Sequence, residues 1–141
     1  MPLPTILLDL NYTLIANSTE RKSPFIKQIE IEQYRKDLID AIAGYHVIMI
    51  TARPIKYQSA TLENILNQVG WNPEESFFND NGWWPPAFKK SILDRYLLAR
   101  KITMFGVESN PSTRAMYKKQ GIQSCDYSDF IKDPEKWLLT P

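Results

Sequence analysis

A carboxylate at the end of an apolar run is the first feature of the sequence that could do chemistry. The run Ile6–Leu8 has the length and composition of a buried strand, and Asp9 follows it directly. Thr13 adds a hydroxyl after a short polar turn. Because open parallel sheets bind ligands beyond the carboxyl ends of their strands, Asp9 is a candidate nucleophile or metal ligand. The alternative is an aspartate that only begins a turn.

Two further apolar runs end in residues suited to the same chemistry. Thr51 follows the run 45–50, Glu108 follows the run 101–107, and Lys89 lies near the start of a helical pattern. If the strands are parallel, their loops meet at one edge of the sheet. Two carboxylates, a hydroxyl and a lysine would suit phosphoryl transfer, in which a carboxylate attacks phosphorus, the hydroxyl and backbone N–H groups hold its oxygens, and the lysine offsets charge. Mg²⁺ would bridge carboxylates and phosphate.

Strands and helices that alternate along the chain must position these residues. Apolar runs predict strands at 5–10, 45–50, 76–78, 101–107 and 122–125, with Pro54 stopping the second strand. Apolar residues at helical spacing predict helices at 31–42, 60–69 and 87–100, and from 111 onwards. The alternation is typical of βαβ units. We therefore predict an α/β fold, a three-layer sandwich with a Rossmann-like parallel sheet and no large cap domain.

Composition narrows the class of protein. We expect a single domain, 1–141, in which the polar residues 11–30 form a candidate small flap. The net charge of +1 provides no bulk attraction to nucleic acid or to membranes. Apolar runs fall short of the roughly 20 residues of a membrane span, so we expect no membrane partner and a cytoplasmic location. The lone Cys125 excludes an internal disulfide and a zinc cluster built from cysteines, and the lone His46 excludes a metal site built from several histidines.

The order of the candidate residues resembles the haloacid-dehalogenase-like (HAD-like) phosphohydrolases. The first motif of that superfamily has a nucleophilic Asp, a second Asp two residues on and a Thr two further on; Asp9, Asn11 and Thr13 occupy these places. The other three motifs of the superfamily supply a Ser or Thr, a Lys and an acidic residue. Thr51, Lys89 and Glu108 resemble these in the same order along the chain. Within the superfamily the chain looks most like the 3′-phosphatase domains of bacteriophage polynucleotide kinase-phosphatases, most clearly over residues 88–130.

This resemblance implies a Mg²⁺-dependent phosphatase that forms an aspartyl-phosphate, acting on a phosphorylated small molecule or a nucleic-acid end. The implied catalytic residues are Asp9, Asn11, Thr51 and Lys89. The implied metal ligands are Asp9, Asn11 through its backbone carbonyl, and Glu108. Candidate substrate-binding residues are Thr13, Arg53, Trp83 and Trp84.

Several of these assignments have an alternative reading. Arg53 could grip a phosphate or pair with a surface acid. Trp83 and Trp84 could stack on a nucleobase or fill the core. Lys90 could serve in place of Lys89, although the spacing of the superfamily favours Lys89.

Two departures from the motifs bear on turnover. Asn11 stands where the superfamily has its general acid and base, and an amide has no titratable proton. Such help is typically worth about 10²–10⁴-fold in rate. Ser109 and Asn110 stand where a pair of aspartates is common. The alternative function is therefore a catalytically impaired module that binds phosphate, nucleic acid or a partner; between the two lies a protein whose phosphorylated form is hydrolysed slowly.

Overall fold

A five-stranded sheet is the centre of the structure, a computed structural model that describes residues 3–139. The strands are β1 Thr5–Leu8, β2 Val47–Pro54, β3 Glu75–Asn79, β4 Met104–Val107 and β5 Gln123–Cys125. Their order is β3-β2-β1-β4-β5, and every neighbouring pair is parallel. β1 therefore lies at the centre, and the carboxyl ends of β2 and β4 flank the loop that begins with Asp9.

Helices cover both faces of this sheet. They are α1 Phe25–Ile31, α2 Lys36–Ile42, α3 Gln58–Val69, α4 Pro85–Ile92, α5 Pro111–Lys119, α6 Tyr127–Lys132 and α7 Pro134–Leu138. Because successive strand residues point to opposite faces, Ile6 and Leu8 join an apolar cluster with α2, α3, α6 and α7, whereas Leu7 joins a second cluster with α4 and α5. The predicted α/β three-layer sandwich is confirmed. Across residues 3–139, no helix is both long enough and apolar enough to cross a membrane.

Strand β2 is longer than predicted. We expected Pro54 to stop the strand after residue 50, but the strand runs through Pro54, which pairs with Asn79 after a register shift. β2 is paired with β1 only as far as Met49, so beyond that point one side of β2 has no ladder to complete. A proline, which lacks an N–H, is tolerated there. As a result Thr51 and Arg53 lie in the strand and not in the following loop.

Tertiary contacts also divide the predicted helix at 31–42. Glu32 has extended backbone angles, and Tyr34 forms an isolated antiparallel bridge with Ile15, so α1 and α2 are separate helices. The predicted helix at 87–100 begins earlier, at Pro85, because prolines suit a first helical turn. The regular α-helix α4 ends at Ile92, and irregular helical turns follow it as far as residue 100.

The polar stretch 11–30 is anchored to its neighbours. The Asn17 side chain is buried, donates to the carbonyl of Ile31 at 2.8 Å and accepts from the amide of Gln33 at 2.8 Å. The Ser18 hydroxyl accepts from the amide of Tyr12 at 2.8 Å, where the backbone takes a positive φ of 61°. These bonds hold the turn that follows Asp9. Movement of this stretch as a flap stays a prediction.

Candidate active site

Asp9 lies directly after the central strand β1, and both of its carboxylate oxygens accept hydrogen bonds. Lys89 Nζ donates to Oδ1 at 2.8 Å. Thr13 Oγ1 and Ser109 Oγ each donate to Oδ2 at 2.9 Å. The Asp9 side chain is 9% exposed. The predicted meeting of the β1 loop, the lysine after the tryptophan loop and the β4 loop is therefore present in the structure.

Lys89, and not Lys90, is the lysine of this group. Lys89 Nζ also donates to Glu108 Oε1 at 2.5 Å, and its side chain is 2% exposed. Lys90 projects from the outer face of α4, where its half-exposed side chain pairs with Asp94 at 2.7 Å. Successive helical residues point about 100° apart, so only one of the two can face the sheet. We call Lys89, Asp9 and Glu108 the lysine cluster.

In the lysine cluster two carboxylates share one cation, and the pKa values of these carboxylates are shifted in opposite directions. Burial raises the pKa of Glu108 to about 8; the charge of Asp9 adds to this, and the charge of Lys89 opposes it. Burial also acts to raise the pKa of Asp9, but the charge of Lys89 and the hydrogen bonds from Glu108, Lys89 and Ser109 outweigh it, so that pKa falls below its usual value. Despite burial, the two carboxylates raise the pKa of Lys89. Asp9 is thus the ionised carboxylate at neutral pH.

Arg53 is held by a buried acid and not by a surface one. Its guanidinium donates to both carboxylate oxygens of Glu32, through Nη1 at 3.0 Å and through Nη2. Nη1 also donates to Thr61 Oγ1 at 2.9 Å, and Nη2 donates to Asn11 Oδ1 at 3.1 Å. The Arg53 and Glu32 side chains are each 2% exposed. We call Arg53, Glu32, Thr61 and Asn11 the arginine cluster, which borders a cavity of about 50 Å³.

Thr51 is buried at the end of β2, beside Asp9. Leu8 pairs with Met49, so Thr51 lies one residue beyond the level of Asp9 on the adjacent strand. Its Oγ1 accepts from the amide of Arg53 at 3.1 Å. In the part of the chain that the structure describes, its hydroxyl proton has no acceptor, so it can be donated to a ligand.

Trp83 and Trp84 lie in the β3–α4 loop, at the same edge of the sheet. β3 is the neighbour of β2, which carries Thr51. Trp83 is 57% exposed and Trp84 is 65% exposed, so neither fills the core. Asn79 and Asn81 fix the loop: Asn79 Nδ2 donates to the Trp83 carbonyl at 2.9 Å, and Asn81 Oδ1 accepts from its amide at 3.0 Å. The indoles are therefore presented to solvent on an ordered turn.

A metal ion would find few acidic ligands here. Within residues 3–139, no cluster of three or more His, Cys, Asp or Glu side chains could hold a metal. The Asn11 carbonyl oxygen lies 3.3 Å from Ser109 Oγ, which lies 2.9 Å from Asp9 Oδ2, so the Ser109 hydroxyl contacts both of the other oxygens. Carboxylate, carbonyl and hydroxyl oxygens are ligands of the kind that Mg²⁺ accepts. Glu108 already accepts from Lys89 and from the Asn110 amide, so it would contribute through water.

Three residues of this region were missed by the sequence analysis as contributors. Ser109 counted only as a departure from an acidic motif, yet its hydroxyl contacts Asp9. Arg114 Nη1 donates to the carbonyls of Glu108 and Ser109, at 2.8 and 2.9 Å, and so fixes the β4 loop. Glu32 gave no sequence signal because its partner Arg53 is 21 positions away. Ser109 could have been found from its place beside the fourth motif.

Comparison with known proteins supports the fold and nothing finer. No protein-family model and no curated protein matches the sequence. The structure is similar to a chain in the structure of the Pnkp1/Rnl/Hen1 RNA repair complex, with a TM-score of 0.73 and 15% identity over 88% of this chain and 42% of that one. A second structure of the Pnkp1/Rnl/Hen1 complex gives a TM-score of 0.68 and 16% identity over 88% of this chain and 46% of that chain. The chain thus spans less than half the length of these neighbours, which share its fold.

Proposed function

We propose that this chain is a Mg²⁺-dependent phosphatase of the HAD-like superfamily that forms an aspartyl-phosphate on Asp9. One observation carries the proposal: the Asp9 carboxylate lies at the end of the central strand, where Lys89 Nζ donates to it at 2.8 Å. Thr51 and Ser109 supply hydroxyls on either side from the neighbouring strand ends. The order of the four motifs along the chain supports the same reaction.

In the proposed first step an Asp9 carboxylate oxygen attacks the phosphorus atom, and the bond from phosphorus to the leaving oxygen breaks. Lys89 offsets the charge that gathers on the phosphoryl oxygens, and the free hydroxyl proton of Thr51 is donated to one of them. In the second step water attacks the phosphorus, the bond from phosphorus to the Asp9 oxygen breaks, and phosphate leaves while a proton of the water passes to solvent, which regenerates the carboxylate. Mg²⁺, held by Asp9 and the Asn11 carbonyl, would supply charge neutralisation for the phosphate.

Asn11 limits both steps. It cannot give a proton to the leaving oxygen or take one from the attacking water, and its side-chain oxygen already accepts from Arg53 at 3.1 Å. We therefore expect activated leaving groups to react and the phosphoenzyme to persist. The same observation favours a second candidate, a module that binds phosphate without turnover.

For the substrate class we propose nucleotide or polynucleotide phosphate ends. Trp83 and Trp84 are exposed, on an ordered loop at the same sheet edge as Asp9, and base–aromatic stacking is worth about 1–3 kcal/mol per base. The chains that share this fold belong to an RNA repair complex. Because the net charge is only +1, stacking and the local phosphate contacts would have to provide most of the affinity.

The test combines p-nitrophenyl phosphate hydrolysis, with Mg²⁺ or EDTA, and mass spectrometry of the intact protein. Turnover that EDTA abolishes supports the phosphatase. A persistent added phosphate, lost in Asp9→Asn but kept in the surface control Asp94→Asn, supports a slowly hydrolysed intermediate. If neither turnover nor added phosphate is found, the binding module is the better account.

A further inference from the structure

The contact between Arg53 and Asn11 determines which end of the Asn11 amide faces inward. A guanidinium carries hydrogen-bond donors and no acceptor, so the atom 3.1 Å from Arg53 Nη2 must be the amide oxygen. The amino group Nδ2 then points away from Arg53. Within residues 3–139 it has no hydrogen-bond partner, and the Asn11 side chain is only partly buried. Asn11 therefore presents a free donor.

Glu32 makes this arrangement possible. Both of its oxygens accept from Arg53, so the guanidinium is neutralised where it lies. Without Glu32, Arg53 would be a buried cation with no counter-ion, and a phosphate dianion at Asp9 would attract it. α3 holds the pair from behind, because Thr61 accepts from Arg53 at 2.9 Å and Gln68 Nε2 donates to the Glu32 carbonyl at 2.8 Å.

Asn11 also connects this pair to Asp9. Its backbone carbonyl lies 3.3 Å from Ser109 Oγ, which donates to Asp9 at 2.9 Å. The amide side chain thus extends from the residue that borders the proposed phosphate position. As a hydrogen-bond donor, the Nδ2 group of Asn11 would bind a phosphoryl oxygen. This role needs no proton transfer, whereas a general acid–base residue would have to exchange a proton with the leaving oxygen.

We propose that Glu32 is a positioning residue, which acts through Arg53 to make Asn11 a fixed hydrogen-bond donor to a phosphoryl oxygen of the ligand held at Asp9. The inference rests on the proposed phosphate site. It assigns Asn11 a role in binding the phosphate, and it assigns a role to a buried acid outside the four motifs.

The experiment is a titration of the ¹⁵N-labelled protein with inorganic phosphate in Mg²⁺ buffer, followed by NMR. The side-chain NH₂ signals of Asn11 are identified by their loss in Asn11→Ala. We expect phosphate to shift these signals in the wild type. We expect the dissociation constant for phosphate to rise at least about tenfold in Asn11→Ala and in Glu32→Gln, since a hydrogen bond to a charged group is lost.

The matched control is Glu75→Gln. Glu75 also binds an arginine through both carboxylate oxygens, Arg100 at 2.8 Å, but at the amino end of β3, the opposite edge of the sheet. The Glu75→Gln substitution should leave the affinity for phosphate unchanged. If Glu32→Gln does not fold, Glu32→Asp replaces it in the experiment, because aspartate keeps the buried negative charge. By displacing the guanidinium it should also weaken phosphate binding and reduce the shift of the Asn11 NH₂ signals, and unchanged binding and shift would overturn the role of Glu32.

The outcomes separate this inference from the proposed function. If phosphate shifts signals of Ser109 and Thr51 but not the Asn11 NH₂ group, or if Asn11→Ala binds phosphate as the wild type does, the inference is wrong and the phosphate site stands. If phosphate shifts none of these signals, the phosphate site itself is wrong and the inference falls with it.

Discussion

Asn11 joins two clusters of buried charge that differ in their balance. The lysine cluster puts two carboxylates, Asp9 and Glu108, on one cation, and burial raises the pKa of Glu108 to about 8. The arginine cluster puts a single carboxylate on one cation, and a hydroxyl and an amide oxygen also accept from that cation. Within residues 3–139 the buried Nε of Arg53 has no hydrogen-bond partner. The charged side chains of both clusters are at most 9% exposed, so burial alone does not distinguish the two clusters.

The difference shows where a ligand would change the energetics most. In the arginine cluster the bidentate pair is matched charge for charge, and a further anion or cation would upset it. In the lysine cluster the second carboxyl, Glu108, has a pKa that burial raises to about 8. The partners of Asp9 include the hydroxyls of Thr13 and Ser109, which can turn to other acceptors. Groups with strongly shifted pKa values cluster at functional sites, and the lysine cluster contains such groups, whereas the arginine cluster pairs one acid with one base.

The largest effect should come from Asp9→Asn. Removing the nucleophile should lower turnover of p-nitrophenyl phosphate by at least about 10⁴-fold, as loss of a covalent catalyst does elsewhere. Asp94→Asn, on the outer face of α4, should leave the rate unchanged. Turnover by Asp9→Asn close to that of the wild type would show that the lysine cluster is scaffold as well.

Lys89→Met should be the most destabilising change in the lysine cluster. It leaves Asp9 and Glu108 buried without a cation, for which the expected loss in unfolding free energy is about 3–5 kcal/mol. Lys90→Met is the matched control, and its exposed pair with Asp94 predicts a loss under about 1 kcal/mol. Urea unfolding measures both. Equal losses would mean that burial of Lys89 adds nothing.

Paired substitutions test the difference in balance directly. Arg53→Met alone should destabilise strongly because it isolates Glu32, and adding Glu32→Gln should recover about 1–3 kcal/mol by removing the orphaned charge. Adding Asp9→Asn to Lys89→Met should recover less, because the Glu108 carboxyl also stays buried without the hydrogen bond that Lys89 donated to it. The same urea series measures all four proteins. Equal recovery in the two clusters would remove the proposed contrast.

The smallest effect should come from the exposed pair of Glu75 and Arg100. The hydrogen bonds from Arg100, assisted by His46 and opposed by burial, lower the pKa of Glu75 to about 2. A lowered carboxyl pKa adds stability that is fully present above pH 4.5 and is lost as the pH falls towards 2. Because the side chain is 29% exposed, Glu75→Gln should cost at most about 1 kcal/mol at pH 6, and less at pH 3. A cost that does not change with pH would contradict this cause.

The sequence determined the parallel α/β architecture and the edge at which its polar residues meet. Apolar runs and apolar residues at helical spacing mark the positions that are buried, and this spacing can be read from the local sequence. Asp9, Thr51 and Glu108 follow predicted strands, and Lys89 lies near the start of a predicted helix. The element boundaries were less predictable. The break at Glu32 and the continuation through Pro54 depend on pairing with distant strands, which outweighs local propensity.

Only the tertiary structure decided which charges pair. The sequence left both Lys89 and Lys90 open, with the spacing of the superfamily favouring Lys89, and α4 turns only Lys89 towards Asp9. Arg53 could have faced a phosphate, but Glu32 reaches it because the chain between α1 and α2 passes over the end of β2. A buried charge takes the counter-ion that the fold brings to it, and that counter-ion can lie far away in the sequence.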